Sequence, residues 1–255
     1  MTRHLVIPDT QIKPDCPIDH MYWAGRYACA VKPDTIIHLG DHWDMPSLSS
    51  YDVGKKSFEG RRYSVDVEAG NEAMQVFMDC IRAEQQRLRK RKKKIWKPRL
   101  IFTVGNHEYR IERAVENDAK LEGLMSYEDL NLRGWEVFPY LQPVIVDGIA
   151  YCHFFTSGVM GRAVTNAKLL LQKKHMSCVM GHVQDRDIAF DRNAAGNRMT
   201  ALFAGIFYQH DEEYLNPQTN GSWSGLWVFN EVNNGTFDEM PVSMTYLRGK
   251  YGANS

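Results

Sequence analysis

The sequence predicts an α/β protein in which two mixed β-sheets pack together with helices outside. Three observations lead there. Strand-like and helix-like runs alternate from LVIPDTQ at 5–11 to LIFTVGNHE at 100–108, the pattern of βαβ units with parallel strands. Strand-like runs dominate the later part, and no internal repeat or low-complexity linker breaks the chain. Strand-like runs around 5–11, 35–44, 100–108 and 178–184 all end in polar, site-forming residues, as expected where ligands sit beyond the carboxyl ends of an α/β sheet.

Composition sets the limits. The 255 residues are expected to form one domain, 1–255, long enough to bury roughly 75% of the surface the unfolded chain would expose. Thirty-one basic residues balance thirty-one acidic ones, so no global field commits the molecule to nucleic acid or membranes, and any such preference must be local. The five cysteines, Cys16, Cys29, Cys80, Cys152 and Cys178, show no CxxC spacing and sit largely in apolar runs; a reducing cytoplasm suits them. No stretch has the length of a signal peptide core or a membrane span, so a soluble cytoplasmic protein without membrane contact is expected.

Taken in order, the first strand leads into a loop punctuated by Pro14 and Pro17. Residues 18–32 carry Met21, Ala24, Ala28 and Val31 at helical spacing, and Lys32-Pro33 stops the helix. TIIHLGDHWD at 35–44 reads as a buried strand that delivers Asp41 and Asp44 at its end, with Gly40 allowing the sharp turn. The turn-rich stretch 45–64 reads as a surface loop over the strand ends, a common place for substrate contacts. Residues 66–94 form the longest helical candidate and 99–104 the third strand. A helix starts near 109, and 117–135 is mixed helix and loop. The pattern apolar, Asp-Gly, apolar at 143–154 is that of a β-hairpin, carrying His153 near its end. A helix is expected over 161–174, a strand over 177–184, and further strands over 198–208, 225–232 and 241–247.

The strand ends collect Asp9, Gln11, Asp41, Asp44, Asn106, His107, His153, His182 and Gln184. Carboxylates, imidazoles and amide oxygens in one place suit one or two divalent cations, with Asp41 placed to bridge them. Two metals roughly 3.5 to 4 Å apart can activate a water and offset the charge of a phosphoryl transition state.

The order of motifs, D-x-Q, G-D-x-x-D, G-N-H-E, a lone His and G-H-x-Q over residues 9–184, resembles the calcineurin-like metallophosphoesterase superfamily. That family carries His where this chain has Gln11 and Gln184, so the chain is similar to a small phage or bacterial member with both histidines of one metal site replaced. The resemblance implies a four-layer α-β-β-α sandwich. It implies that Asp41, Asn106, His153 and His182 bind one metal while Asp9, Gln11, Asp41 and Gln184 surround the other. It also implies that His107 serves the leaving group and that Asp44 orients it. Asn106 is a further candidate for contact with the substrate phosphate, and so is Arg110, which reads equally as a surface helix cation. The amide oxygen of Gln lies as many bonds from Cα as Nε2 of His, so both glutamines reach the same ion. Oxygen ligands shift that site toward Mn²⁺ or Mg²⁺, leaving Zn²⁺ or Fe suited to the His153/His182 site. Retention of reach at both positions favours a remodelled site over a lost one.

The leading expectation is a metal-dependent phosphoester hydrolase, most of all a phosphodiesterase acting on nucleic acid or nucleotides. The second motif lacks the Asp-Arg-Gly of the Ser/Thr phosphatases. The alternatives are a phosphomonoesterase and a non-catalytic binding protein with a degenerate metal site. RLRKRKKKIWKPR at 87–99 holds nine Lys or Arg. Such a run is read first as a solvated helix terminus, where cations meet the negative end of the dipole, and second as a phosphate-backbone contact to nucleic acid. It precedes a strand, so it is expected at the edge opposite the site.

Overall fold

A computed structural model describes residues 2–210 and 222–252. In chain order the elements are β1 (Thr2–Ile7), α1 (Asp19–Val31), β2 (Thr35–His38), α2 (Tyr63–Lys90), β3 (Arg99–Thr103) and α3 (Arg110–Asn117). They continue with β4 (Glu136–Phe138), β5 (Val144–Val146), β6 (Ile149–Cys152), α4 (Ala167–Lys174), β7 (Cys178–Met180) and β8 (Arg186–Arg192). β9 (Arg198–Ala204), β10 (Gly225–Asn233), β11 (Thr236–Ser243) and α5 (Met244–Tyr251) complete the set.

Two mixed sheets result. One has the order β11-β10-β1-β2-β3-β4 and the other β5-β6-β7-β9-β8. Strands β1 to β4 pair in parallel, as do β6, β7 and β9, while β10, β11, β5 and β8 are antiparallel to their neighbours. The sheets face each other across a core of Val6, Ile37, Ile101, Tyr151, Val179, Leu202 and Phe229. On the outer face of the first sheet, Met21, Ala24 and Ala28 of α1 and Met74, Phe77 and Ile81 of α2 pack on Leu5, Ile36 and Phe102. On the outer face of the second, Leu170 and Leu171 of α4 pack on Cys178, Met180 and Phe203. The layers therefore run helix, sheet, sheet, helix, as anticipated: strands buried on both faces read as continuous apolar runs, and helices supply the outer cover.

Local chemistry accounts for most boundaries. α1 ends where Lys32 turns left-handed (φ 47°) and returns its N–H to the Ala28 carbonyl. The 143–154 hairpin forms with Asp147-Gly148 at its turn, both at positive φ. Several boundaries differ from the sequence reading. The helix expected over 161–174 begins only at Ala167, because Asn166 caps it by accepting the Leu169 N–H and the preceding residues form a bridge between Thr156 and Ala163. The strand expected over 241–247 stops at Ser243, whose hydroxyl caps α5. The strand expected over 198–208 ends at Ala204, before Gly205 at φ 74°. β8 and β4 were not anticipated. β8 is an exposed, charged edge strand, and β4 is three residues long. The loop over 45–64 gives way to α2 at Tyr63, with only two short 3-10 turns before it, Pro46–Leu48 and Lys56–Phe58. α2 starts and ends earlier than the 66–94 reading, with Arg91 as its C-cap. All five cysteines are free. Among the described residues, no helix is long and apolar enough to cross a membrane.

Candidate metal centre

Five parallel strands, β1, β2 and β3 of one sheet and β6 and β7 of the other, end at the same edge. The segments leaving them carry Asp9 and Gln11, Asp41 and Asp44, Asn106 and His107, His153, and His182 and Gln184. The site thus straddles the gap between the sheets. Its loops are tied to each other: the N–H groups of Thr10 and Gln11 both donate to the Asp41 carbonyl, at 3.1 and 2.8 Å, and the Asp44 N–H donates to the Ile12 carbonyl at 2.9 Å. Gln11, Asp41 and His182 sit at positive φ, 38°, 48° and 63°, a conformation that disfavours side-chain-bearing residues and persists where surrounding contacts impose it. Two motif glycines are needed for close approach. A Cβ at Gly105 would overlap the Asp41 carboxylate, and one at Gly181 would overlap that of Asp9.

Glu108, fully buried, is the organiser that sequence reasoning passed over. Its carboxylate accepts four backbone N–H groups, those of Asp41 (2.9 Å), His42 (2.6 Å), Trp43 (3.0 Å) and Gly105 (2.9 Å). It clamps the turn after β2 to the turn after β3. Burial pushes its carboxyl up to about 7, and the nearby Asp41 charge adds to this. A second support is His42, whose ring spans Thr10 Oγ1 at 2.7 Å and the Gly70 carbonyl of α2 at 3.0 Å. The final letter of G-N-H-E was a signal for Glu108; nothing in the pattern pointed to His42.

Ligand atoms of Asp41, His153 and His182 lie within 4.8 Å of one another. His153 Nδ1 donates to the Leu39 carbonyl at 2.8 Å, which fixes the ring so that Nε2 faces Asn106 Oδ1 at 2.8 Å and Asp41 Oδ2 at 3.3 Å. Such orientation of a ring through its far nitrogen is how metal-binding histidines are held. Burial opposes charge on His153, yet the carboxylates of Asp41 and Asp9 outweigh it and push the imidazole up to about 9. Burial alone would raise Asp41, but His107 and His153 hold it below the ordinary carboxylate range. Asp9, accepting the His182 N–H at 3.0 Å, is driven by burial up to about 7. His182 goes the other way: burial and the charge of His153 lower it to about 4, so its ring is neutral and able to donate a lone pair. The carboxylates of Asp41 and Asp9 thus draw positive charge into the cluster, and a cation held there would take the place of the proton on His153.

His107 occupies the outer side. Its Nδ1 meets Asp44 Oδ1 at 2.6 Å and the Asp44 carbonyl at 2.8 Å, and its Nε2 lies 3.7 Å from Asp41 Oδ2. Burial works against a charged ring, but Asp41 and Asp44 push it up to about 9. Arg110 directs Nη1 at the carbonyls of Asp44 (2.8 Å) and Met45 (3.1 Å) and places Nη2 3.4 Å from His107 Nε2.

The donor set fits a divalent ion on a further ground. Gln11 Oε1 is buried with no hydrogen-bond partner among the described residues. A buried acceptor left unpaired costs about 1–3 kcal/mol, and a hard cation is what an amide oxygen in this position can satisfy. Gln11, Asp41, Asp44, Asn106, His107, Arg110, His182 and Gln184 all line one cleft of about 1160 Å³, roofed by the 46–62 loop through Ser49, Tyr51, Lys55, Arg61 and Arg62. Asp9 and His153 lie beneath its floor, buried. All nine predicted strand-end residues and Arg110 are therefore brought together.

Comparison with known proteins adds little beyond this geometry. No protein-family model matches the chain, and no curated protein matches it. Among solved structures, the chain is similar to Yfce, a phosphoesterase from E. coli, at 11% sequence identity and a TM-score of 0.39, over 95% of this chain and 100% of that one.

Proposed function

We propose that the chain is a divalent-metal-dependent phosphoester hydrolase of the calcineurin-like type, and that its substrates are phosphodiesters of nucleotides or nucleic acid. The observation that carries this reading is the buried cluster of Asp41, His153 and His182 beside the unpartnered Gln11 oxygen at the floor of an open cleft. In this reading Asp41, Asn106, His153 and His182 hold one ion, and Asp9, Gln11, Asp41 and Gln184 hold the other. Ions bound there supply an activated water and offset the charge that builds on the phosphoryl oxygens.

The chain's own groups do the rest. Asp44 keeps the His107 ring oriented and protonated, so that Nε2 can deliver a proton to the departing oxygen. Asn106 and Arg110 orient the phosphate. Arg110 commits Nη1 to two carbonyls, which leaves the edge formed by its Nε and Nη2 to meet a phosphate oxygen. The cleft of about 1160 Å³ has room for a substituent on either side of the phosphorus, which favours the diester over the monoester.

Chelator-treated protein resupplied with Mn²⁺, Mg²⁺ or Zn²⁺ and offered bis(p-nitrophenyl) phosphate and p-nitrophenyl phosphate tests the reading. Hydrolysis dependent on Mn²⁺ or Mg²⁺, faster for the diester, is expected. A faster monoester rate would make the protein a phosphatase. Metal bound without turnover of either ester would make it a binder.

A further inference from the structure

The cations from Arg89 to Lys97 have no role in the cleft. α2 begins at the cleft, where Val65 and Asp66 contribute to the lining, and runs 28 residues to Lys90, a distance of about 42 Å at 1.5 Å per residue. At its far end Arg89, Lys90, Arg91, Lys92, Lys93, Lys94 and Lys97 are all exposed. Two flanking cations are neutralised, Arg87 by Glu84 at 2.6 Å and Arg99 by Glu136 at 2.6 Å. Among the described residues, none of the seven between them has an acidic partner. Set aside, those seven leave 24 cations against 31 acids in the rest of the chain, so the patch is a strong local departure from a molecule that is acidic elsewhere.

Helix capping does not explain it. The macrodipole acts on the last turn, whereas Lys92, Lys93, Lys94 and Lys97 follow the C-cap at Arg91. Nor is the segment a loose tail. The Lys93 N–H donates to the Leu88 carbonyl at 3.0 Å, Gln85 Nε2 to the Trp96 carbonyl at 3.1 Å and the Trp96 indole N–H to the Pro33 carbonyl at 2.7 Å. These bonds fix a turn that presents like charges side by side, an arrangement that repels itself unless an anion completes it. Its shape selects among anions. Ile95 and Trp96, the apolar side chains of the turn, are both half-buried, Trp96 tied to Pro33, and no other aromatic lies there, so the turn offers neither the fully exposed inserting side chain of a membrane-binding segment nor the aromatic anchor of a protein interface. Closely spaced cations without an apolar anchor match a phosphodiester backbone.

We infer that the turn from Arg89 to Lys97 is a docking surface for the phosphodiester backbone of nucleic acid, separate from the cleft and about one α2 length away from it. The test measures binding of a fluorescent mixed-sequence duplex of about 20 base pairs, roughly 68 Å long at 3.4 Å per pair, and of its single strand, across a salt series. Full-length protein is used in excess chelator, so the result does not depend on hydrolysis. Wild type is expected to bind with steep salt dependence. The Lys93→Gln, Lys94→Gln, Lys97→Gln variant should bind at least about tenfold more weakly, with a log-log salt slope smaller by about 2.7, or 0.9 for each lost phosphate contact. Its turnover of a small aryl ester should match wild type. If that variant loses its melting transition, Lys90→Gln with Lys92→Gln repeats the test. Failure of wild type to bind either nucleic acid at low salt overturns the proposal, as does an unchanged affinity and slope in the variant. Binding to phosphatidylserine-containing vesicles but not to nucleic acid overturns it as well.

Discussion

At the residue scale, His107 and Glu108 are neighbours in sequence with opposite tasks. His107 faces the cleft, so His107→Ala should retain bound metal but slow turnover by about 10² to 10⁴, the usual contribution of a positioned acid-base group. The loss should be smallest for esters with good leaving groups, which a leaving-group series measures directly. Glu108 faces inward to four amide N–H groups. Glu108→Gln keeps its volume but turns an NH₂ toward donors, and should lower unfolding free energy by about 2–4 kcal/mol in denaturant titration. Gln11→His together with Gln184→His, which restores nitrogen ligands at matching reach, should raise affinity for Zn²⁺ relative to Mn²⁺ in metal titrations, each single change doing less. The strand-end side chains around the cleft were legible in the sequence because each ends or closely follows a strand-like run, with Asp41, Asn106 and His182 directly after a glycine. The last letter of G-N-H-E marked Glu108 as a motif residue but did not show its task, because its partners are backbone amides from two separate turns and amides leave no mark in a residue pattern.

At the element scale, α2 shows how tertiary packing overrides propensity. Gly70 lies within it, and replacing a mid-helix glycine by alanine normally gains up to about 1 kcal/mol. Here a Cβ would overlap the indole of Trp43, which is fully buried, and overpacking of that kind costs about 1–3 kcal/mol. Gly70→Ala should therefore destabilise, and because the Gly70 carbonyl also holds His42, it should weaken metal binding too. Thermal melts and metal titration read the two effects. The same contrast explains which elements could be read beforehand. α1, α2 and the buried strands carry sustained apolar periods. β8 is an edge strand whose only clue is the alternation of Ile188 and Phe190, the latter beneath the Arg198 guanidinium at 4.8 Å. The late start of α4 and the early end of β11 depend on Asn166 and Ser243 as caps, signals one residue wide that a longer apolar pattern masks.

At the scale of the whole molecule, neutral buried histidines link stability to pH. His20, buried against Phe207 with Gln209 Nε2 3.3 Å from its Nδ1, is lowered by burial to about 3, with His42 and His210 adding to the effect. Its folded pKa is depressed, so the unfolded chain takes up a proton near pH 6.5 that the folded chain refuses. The resulting stability is intact above pH 6.5 and falls as the pH drops from there toward 3, by about 2 kcal/mol at pH 5. His20→Leu should flatten unfolding free energy between pH 7 and 5 by that amount; an identical slope in the variant would rule this out. The larger architecture places five strand ends from two sheets around one carboxylate, and Asp41 is where they meet. In the proposed function Asp41 would help to hold both ions. The most direct test counts metal per chain and follows aryl phosphodiester hydrolysis in wild type and Asp41→Ala, each titrated with Mn²⁺ from the chelator-treated state. Two Mn²⁺ per wild-type chain with hydrolysis that tracks their binding, and loss of both in the variant, is the predicted result; equal metal content and rate in the two proteins would contradict it.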